Sequence, residues 1–194
     1  MKPLNGAFSD QRTNHAFEIV KRADFLPPEI RQYAPEDEAL PIGHGQTNSQ
    51  PYTVKFMLGL LNLQTGEKVL DVGSGSGWTT TLLAYLVGKG GGVVGVEIVP
   101  DLVEFGRTNL SKYNFPWAKI VQAGSSLGYK SDSPYDKILV SASSNEIPEA
   151  LLNQLKPGGR MVIPVGNSIF SVDKTSFGKI VAHEYPGFVF VPLV

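Results

Sequence analysis

Val69-Leu70-Asp71-Val72-Gly73-Ser74-Gly75-Ser76-Gly77 decides how the rest of the chain is read. A short apolar run carrying one acid reads as a strand, passes into a glycine-rich turn, and is followed over residues 78–87 by a helical pattern. Glycines let the backbone turn sharply and come close to a ligand. The free N–H groups at the start of the helix face that same ligand. The spacing is G-x-G-x-G. A dinucleotide fingerprint needs glycine at position 78, where Trp78 stands, and this speaks against a dehydrogenase. Gly92-Val93-Val94-Gly95-Val96-Glu97 reads as the next strand and ends in a carboxylate twenty positions after Gly77. An acid there accepts hydrogen bonds from ribose hydroxyls. The two features together point to a nucleoside site. The plainer alternative is an ordinary strand–turn–helix with a solvated Glu97.

Working outward, strands and helices keep alternating. Residues 101–113 read as a helix behind Pro100, 118–123 as a strand followed by Gly124-Ser125-Ser126, and 135–141 as a strand. Residues 148–155 read as a helix, Lys156-Pro157-Gly158-Gly159 as a tight turn, and 160–165 as a strand ending at Gly166. Such alternation specifies an α/β, doubly wound, mostly parallel sheet covered on both faces. Residues 180–183 and 188–191 read as two strands joined through Tyr185-Pro186-Gly187, an antiparallel C-terminal edge. In this architecture a ligand sits beyond the carboxyl ends of the strands.

Upstream, residues 1–15 are polar and expected to be loosely attached. Residues 16–33 suggest a short helix, a break at Pro27-Pro28 and another turn. Residues 52–62 read as a helix with Val54, Met57, Leu58 and Leu61 on one face. Between them lies Pro41-Ile42-Gly43-His44-Gly45-Gln46-Thr47-Asn48-Ser49-Gln50-Pro51, polar and glycine-rich. It is either a connector that caps the following helix through Ser49 or Pro51, or a loop aimed at the ligand.

Composition bounds the function. A length of 194 residues suits one domain: 1–62 as a helical segment with the polar loop, 63–194 as the sheet. The formal net charge is −1 and no Lys/Arg block stands out, so no nucleic-acid partner is expected. Without cysteine there is no disulfide, thiolate nucleophile or Cys-based zinc site, and the three histidines lack metal-ligand spacing, so no metal is expected. With no membrane-spanning run or apolar signal core, the expectation is a cytoplasmic monomer. Trp78 reads as a packing residue, His44 as a loop residue, and Phe115 and Trp117 as cover for the sheet edge.

Several segments resemble the protein-L-isoaspartate O-methyltransferase family, which uses S-adenosylmethionine. They are Phe25-Leu26-Pro27-Pro28, the 40–51 stretch, the glycine turn, Pro134-Tyr135-Asp136-Lys137-Ile138, residues 154–166 and Val191-Pro192-Leu193. The glycine turn fits any methyltransferase of this fold, whereas Gly-Gln-Thr-x-Ser-x-Pro and the later Gly-Gly-Arg-x-Val-Ile-Pro-Val-Gly are more specific to the family. The resemblance implies methyl transfer to the α-carboxylate of L-isoaspartyl residues in damaged proteins; the ester then collapses to a succinimide that hydrolyses partly to aspartate. It also implies roles. Gly73, Ser74, Gly75 and Gly77 hold the methionine end of the cofactor, which Asp71 orients. Glu97 accepts the ribose, with Ile98 beside the adenine, and Gly124 and Ser125 border it. Gln46, Thr47, Asn48 and Ser49 lie between cofactor and substrate, and Ser49 falls on the active-site serine. S-adenosylhomocysteine is the product form of the cofactor.

A carboxylate nucleophile is already ionised at neutral pH, so such a site needs no general base. It needs alignment and exclusion of water. Three positions depart from the family pattern: Gly124-Ser125-Ser126 replaces Gly-Asp-Gly, Asn48 replaces an apolar residue, and Ser141-Ala142-Ser143-Ser144 replaces an alanine-rich run. All three make the rim more polar. They leave open a methyltransferase with a small-molecule or RNA acceptor, a cofactor-binding protein without transfer activity, and, more weakly, a nucleotide-binding oxidoreductase.

Overall fold

Alternate residues of the central strands enter two different cores, as period-two patterning requires when both faces of a sheet are covered. The computed structural model of the chain describes residues 11–193. In chain order it contains α1 (Gln11–Ile19), β1 (Leu40–Gly43), β2 (Gln46–Asn48), α2 (Pro51–Leu61), β3 (Lys68–Val72), α3 (Trp78–Val87) and β4 (Gly92–Glu97). There follow α4 (Pro100–Leu110), β5 (Ala118–Gln122), β6 (Tyr135–Val140), α5 (Glu149–Leu152), β7 (Leu155–Val165), β8 (Ser168–Lys174) and β9 (Ile180–Pro186). Val69, Val93, Leu139 and Val162 face the core built with α1, α2 and α3. Their neighbours Leu70, Val94, Ile138 and Ile163 face the other, which α5 closes through Leu151.

The main sheet has the order β5-β4-β3-β6-β7-β8-β9. β3 through β7 run parallel, and β8 and β9 are antiparallel to their neighbours. From β3 the chain winds outward to β4 and β5, then returns to β6 beside β3. That reversal opens a crevice at the carboxyl ends of β3, β4 and β6. β1 and β2 form a separate hairpin ahead of α2.

Four expectations are corrected. Of residues 1–15, the first ten lie outside the described residues, but 11–15 are the start of α1, where Thr13 and Ala16 are buried and Arg12 donates to the carbonyls of Leu63 and Leu86. The helix expected over 148–155 is a single turn, because the Gln154 carbonyl accepts from the Tyr135 amide and Leu155 is paired with Tyr135 as β7 begins. Residues 156–159 are therefore an irregularity inside β7 and not a turn before it, with Gly158 at φ +82°. At the C-terminus the antiparallel edge exists, but its hairpin is β8–β9. After β9, Gly187 at φ +100° turns the chain off the sheet, and the amides of Gly187 and Phe188 both donate to the Asn167 carbonyl. Residues 188–193 then cross the strand ends instead of extending the sheet. Among the described residues no helix is long and apolar enough to cross a membrane.

Candidate active site

A cavity of about 560 Å3 opens at the reversal of the sheet, lined by Gly73, Glu97, Ile98, Gly124, Ser125 and Leu193 among others. That volume is typical of small-molecule sites. Glu97 ends β4 only 6% exposed. Its Oε2 accepts from the Gly75 amide at 2.8 Å, and its Oε1 accepts from the amides of Ile98 and Val99 at 2.8 and 3.0 Å. The carboxylate is thus fixed in orientation at the cavity wall, and the plainer reading of a solvated Glu97 does not hold.

The glycine turn is built on the end of β4: the amides of Gly73 and Ser74 both donate to the Val96 carbonyl. Gly73, Gly75 and Gly77 all have positive φ, where a side chain is strained. Their surroundings differ. Gly73 and Gly75 line the space next to the hairpin, whereas a Cβ on Gly77 would stand 2.9 Å from the Gly106 carbonyl of α4. Gly77 therefore serves the close approach of α4. Asp71 is fully buried beneath the turn, its Oδ2 accepting from Thr79 and Thr80 at 2.7 and 2.6 Å. Burial pushes its carboxyl up to about 6, only partly offset by the two hydroxyls. Asp71 Oδ1 and Ser74 Oγ are buried and have no hydrogen-bond partner among the described residues.

The β1–β2 hairpin supplies the remaining wall. It leans on the turn through Ile42, which lies close to Gly75, and His44 at its tip pairs with Asp101 of α4 at 3.1 Å. Gln46 lines the large cavity. Thr47, Asn48 and Ser49 border a small pocket of about 50 Å3 against Gly73 and Gly75. Thr47 and Ser49 also line an open groove of about 470 Å3 on the other side. Pro51 is the first residue of α2, and no side-chain cap precedes it. The Ser49 side chain is therefore not used as a helix cap, and its hydroxyl has no hydrogen-bond partner among the described residues. Asn48 is 4% exposed and points inward. Its Oδ1 accepts from Arg22 at 2.8 Å and its Nδ2 donates to Ser76 Oγ at 3.2 Å.

Arg22 was not among the expected site residues. It is 6% exposed, lies over the Trp78 ring at 5.4 Å, and is held by burial at about 10, still protonated at neutral pH. The available signal was an arginine set between Val20 and Phe25, apolar positions that turn inward. Trp78 itself is packed, edge-on to Phe17 at 5.3 Å. Phe115 and Trp117, expected as cover for the sheet edge, pack against the first core.

Residues 3–194 match the family described as Protein-L-isoaspartate(D-aspartate) O-methyltransferase. The chain belongs to that family. It is 42% identical over 194 residues to the protein-L-isoaspartate O-methyltransferase of Methanopyrus kandleri, covering 97% of this chain and 86% of the relative. It is 44% identical to that of Aeropyrum pernix, covering 98% and 75%. A solved structure of a putative protein-L-isoaspartate O-methyltransferase from Plasmodium falciparum, in complex with S-adenosyl-L-homocysteine, superposes with a TM-score of 0.86 at 26% identity, covering 97% of this chain and 93% of that one.

The site fits the family's cofactor, S-adenosylmethionine. The cavity is of small-molecule size, its wall carries an oriented carboxylate, and Ser74 in the turn holds a buried hydroxyl with no partner among the described residues. The three departures from the family pattern have distinct fates. Ser125 and Ser126 line the cavity. Asn48 is spent on Arg22 and Ser76. Ser143 is engaged with the C-terminal segment: its amide donates to Val191 and its carbonyl accepts from Leu193.

Proposed function

We propose that this chain transfers the methyl group of S-adenosylmethionine to the α-carboxylate of L-isoaspartyl residues in damaged proteins and peptides, with Ser49 as the residue that holds the acceptor. The observation that carries the role of Ser49 is its position. It borders both the small pocket against the glycine turn and the open groove outside, with its hydroxyl uncommitted. When bound, S-adenosylmethionine supplies a methyl group already activated on a sulfonium.

The chain's own residues then have to bind, orient and keep water out. Gly73, Ser74 and Gly75 bring backbone and one orphaned hydroxyl to the methionine end, and Glu97 presents its charge toward the ribose. Ile98, Gly124 and Ser125 flank the base. Gln46 and Thr47 stand between the two compartments. Asp71 and Gly77 act beneath the surface, shaping the turn. Ser49 donates its hydroxyl proton in a hydrogen bond to one acceptor oxygen and removes no proton, since the carboxylate is ionised at neutral pH. Among the described residues neither histidine nor cysteine lines these pockets, which is consistent with that chemistry. These residues belong to one domain, the hairpin and the start of α2 bordering the acceptor groove and the carboxyl ends of β3 and β4 bordering the cofactor cavity.

The test is a matched pair of peptides that differ only in an isoaspartyl or a normal aspartyl residue, offered with labelled S-adenosylmethionine. Base-labile methylation of the isoaspartyl peptide alone is expected. Binding of S-adenosylhomocysteine without methylation of either peptide would move the search to another acceptor or to a binding role.

A further inference from the structure

The groove outside Ser49 is bounded by the 37–39 segment, by the end of the hairpin with the start of α2, and by Val189 to Val191 of the C-terminal segment. Asp37 and Glu38 stand on one side, and Thr47, Ser49 and Gln50 on the other. Two ties join these sides. Across the outer end Gln50 Nε2 donates to the Asp37 carbonyl at 2.8 Å and the Tyr52 amide donates to Asp37 Oδ1 at 2.8 Å. A buried tie lies behind them. Arg22 donates to the carbonyls of Glu36 and Glu38 at 2.8 and 2.6 Å, and to that of Ala34 at 3.3 Å. On the opposite side it donates to Asn48 Oδ1 at 2.8 Å and to the carbonyls of Asn48 and Ser49 at 3.2 and 3.1 Å. The Asn48 amide carries the tie onward to Ser76 in the glycine turn.

One planar, rigid group therefore fixes three segments at once: the 34–38 loop, the Ser49 backbone and the cofactor turn. A guanidinium suits this task because its donors are held in a fixed fork; a lysine ammonium brings the same charge as a mobile point.

We propose that Arg22, acting through Asn48 and the Ser49 carbonyl, is a positioning residue for the acceptor side of the reaction. It sets the place of the Ser49 hydroxyl relative to the glycine turn and, together with the Gln50–Asp37 contact, the width of the groove. The proposal rests on the isoaspartyl methyl-transfer reading. A displacement of about 1 Å in a reacting group costs on the order of a hundredfold in rate. Loss of the fork thus acts on turnover more than on cofactor binding, because none of the segments it holds by direct hydrogen bonds lines the large cavity.

The experiment compares the full chain with Arg22→Lys and Asn48→Ala. It measures kcat and KM for an isoaspartyl peptide well below each melting temperature, and S-adenosylhomocysteine affinity by calorimetry. Arg22→Lys is expected to lower kcat by roughly tenfold to a hundredfold, with KM changing less and the affinity unchanged. Asn48→Ala, which removes one acceptor of the fork and the link to Ser76, is expected to show a smaller loss in the same direction. If Arg22→Lys does not stay folded, Asn48→Ala carries the comparison alone. Variants that melt earlier yet keep the parent kcat would overturn the proposal, as would equal losses in kcat and cofactor affinity. A parent chain that binds S-adenosylhomocysteine and never methylates the isoaspartyl peptide would overturn the underlying reading instead, and the proposal with it.

Discussion

The Ser49 hydroxyl contributes no hydrogen bond to the described fold, so its removal costs the folded state little and its effect is read in the reaction. One hydrogen bond to a charged group contributes about 1.5–3 kcal/mol. Ser49→Ala is therefore expected to lower kcat by about tenfold to a hundredfold, with S-adenosylhomocysteine affinity and melting temperature close to the parent. Loss of all turnover would mean that Ser49 does more than orient. Asp71 is the opposite case, buried and without contact to the cavity. Its folded carboxyl is raised from the usual 3.8 to about 6 by burial. Between those values the folded state binds more protons than the unfolded one, so this group's contribution to stability falls as pH rises through the window and levels off above it. The loss amounts to about 3 kcal/mol. Asp71→Asn removes the ionisation, so urea denaturation from pH 4 to pH 7 is expected to show the parent losing stability relative to the variant. A constant difference across that range would mean the carboxyl is not perturbed. The sequence announced both residues by motif, but burial decides their work, and burial of a polar group is not written in local pattern.

At the scale of elements, the strand, turn and helix around Gly73 to Gly77 were legible because pattern, glycine placement and helix start all agree there. β4 and α3 have the expected limits for the same reason. The C-terminal half was less legible. α5 loses its last turn to pairing between Tyr135 and Leu155, a contact twenty residues apart in sequence. β8 hides its inward face because Ser168 and Ser171 are buried along with Ile169 and Val172, which blurs the alternation. The turn also separates two uses of glycine that sequence alone merges. A Cβ on Gly77 would collide with the Gly106 carbonyl, 2.9 Å away, at φ +88°, whereas one on Gly124 meets nothing within 4 Å. Gly77→Ala is expected to destabilise the fold by about 1–3 kcal/mol from backbone strain alone, and by more as α4 is displaced. Gly124→Ala is expected to leave stability nearly unchanged. Denaturation curves for the pair check this, and similar curves would mean that α4 tolerates the displacement.

For the molecule as a whole, the site is closed by parts that are far apart in the chain. The β1–β2 hairpin comes from the start, and the strap after β9 comes from the end. The strap is not a strand of the sheet. It is held by the Ser143 amide donating to the Val191 carbonyl and the Leu193 amide donating to Ser143. From that position Pro192 and Leu193 line the large cavity, while Val191 reaches both the small pocket and the outer groove. Leu193 also packs on the second core, and Phe188 and Phe190 pack on the first. The sheet itself is complete at Pro186. Ending the chain there is therefore expected to leave a folded protein with a lower melting temperature and an opened cavity. A ligand that binds only the folded state stabilises it by about 2.7 kcal/mol at a concentration of 100 Kd. A tenfold weaker Kd lowers that by about 1.4 kcal/mol at the same concentration. The truncated chain is expected to bind S-adenosylhomocysteine at least about tenfold more weakly, and to show a correspondingly smaller rise in melting temperature on adding it. Calorimetric Kd values and melting curves with and without the ligand measure both effects. An unchanged Kd would place the whole of the cofactor's binding on the glycine turn and Glu97, and leave the strap a part in acceptor binding alone.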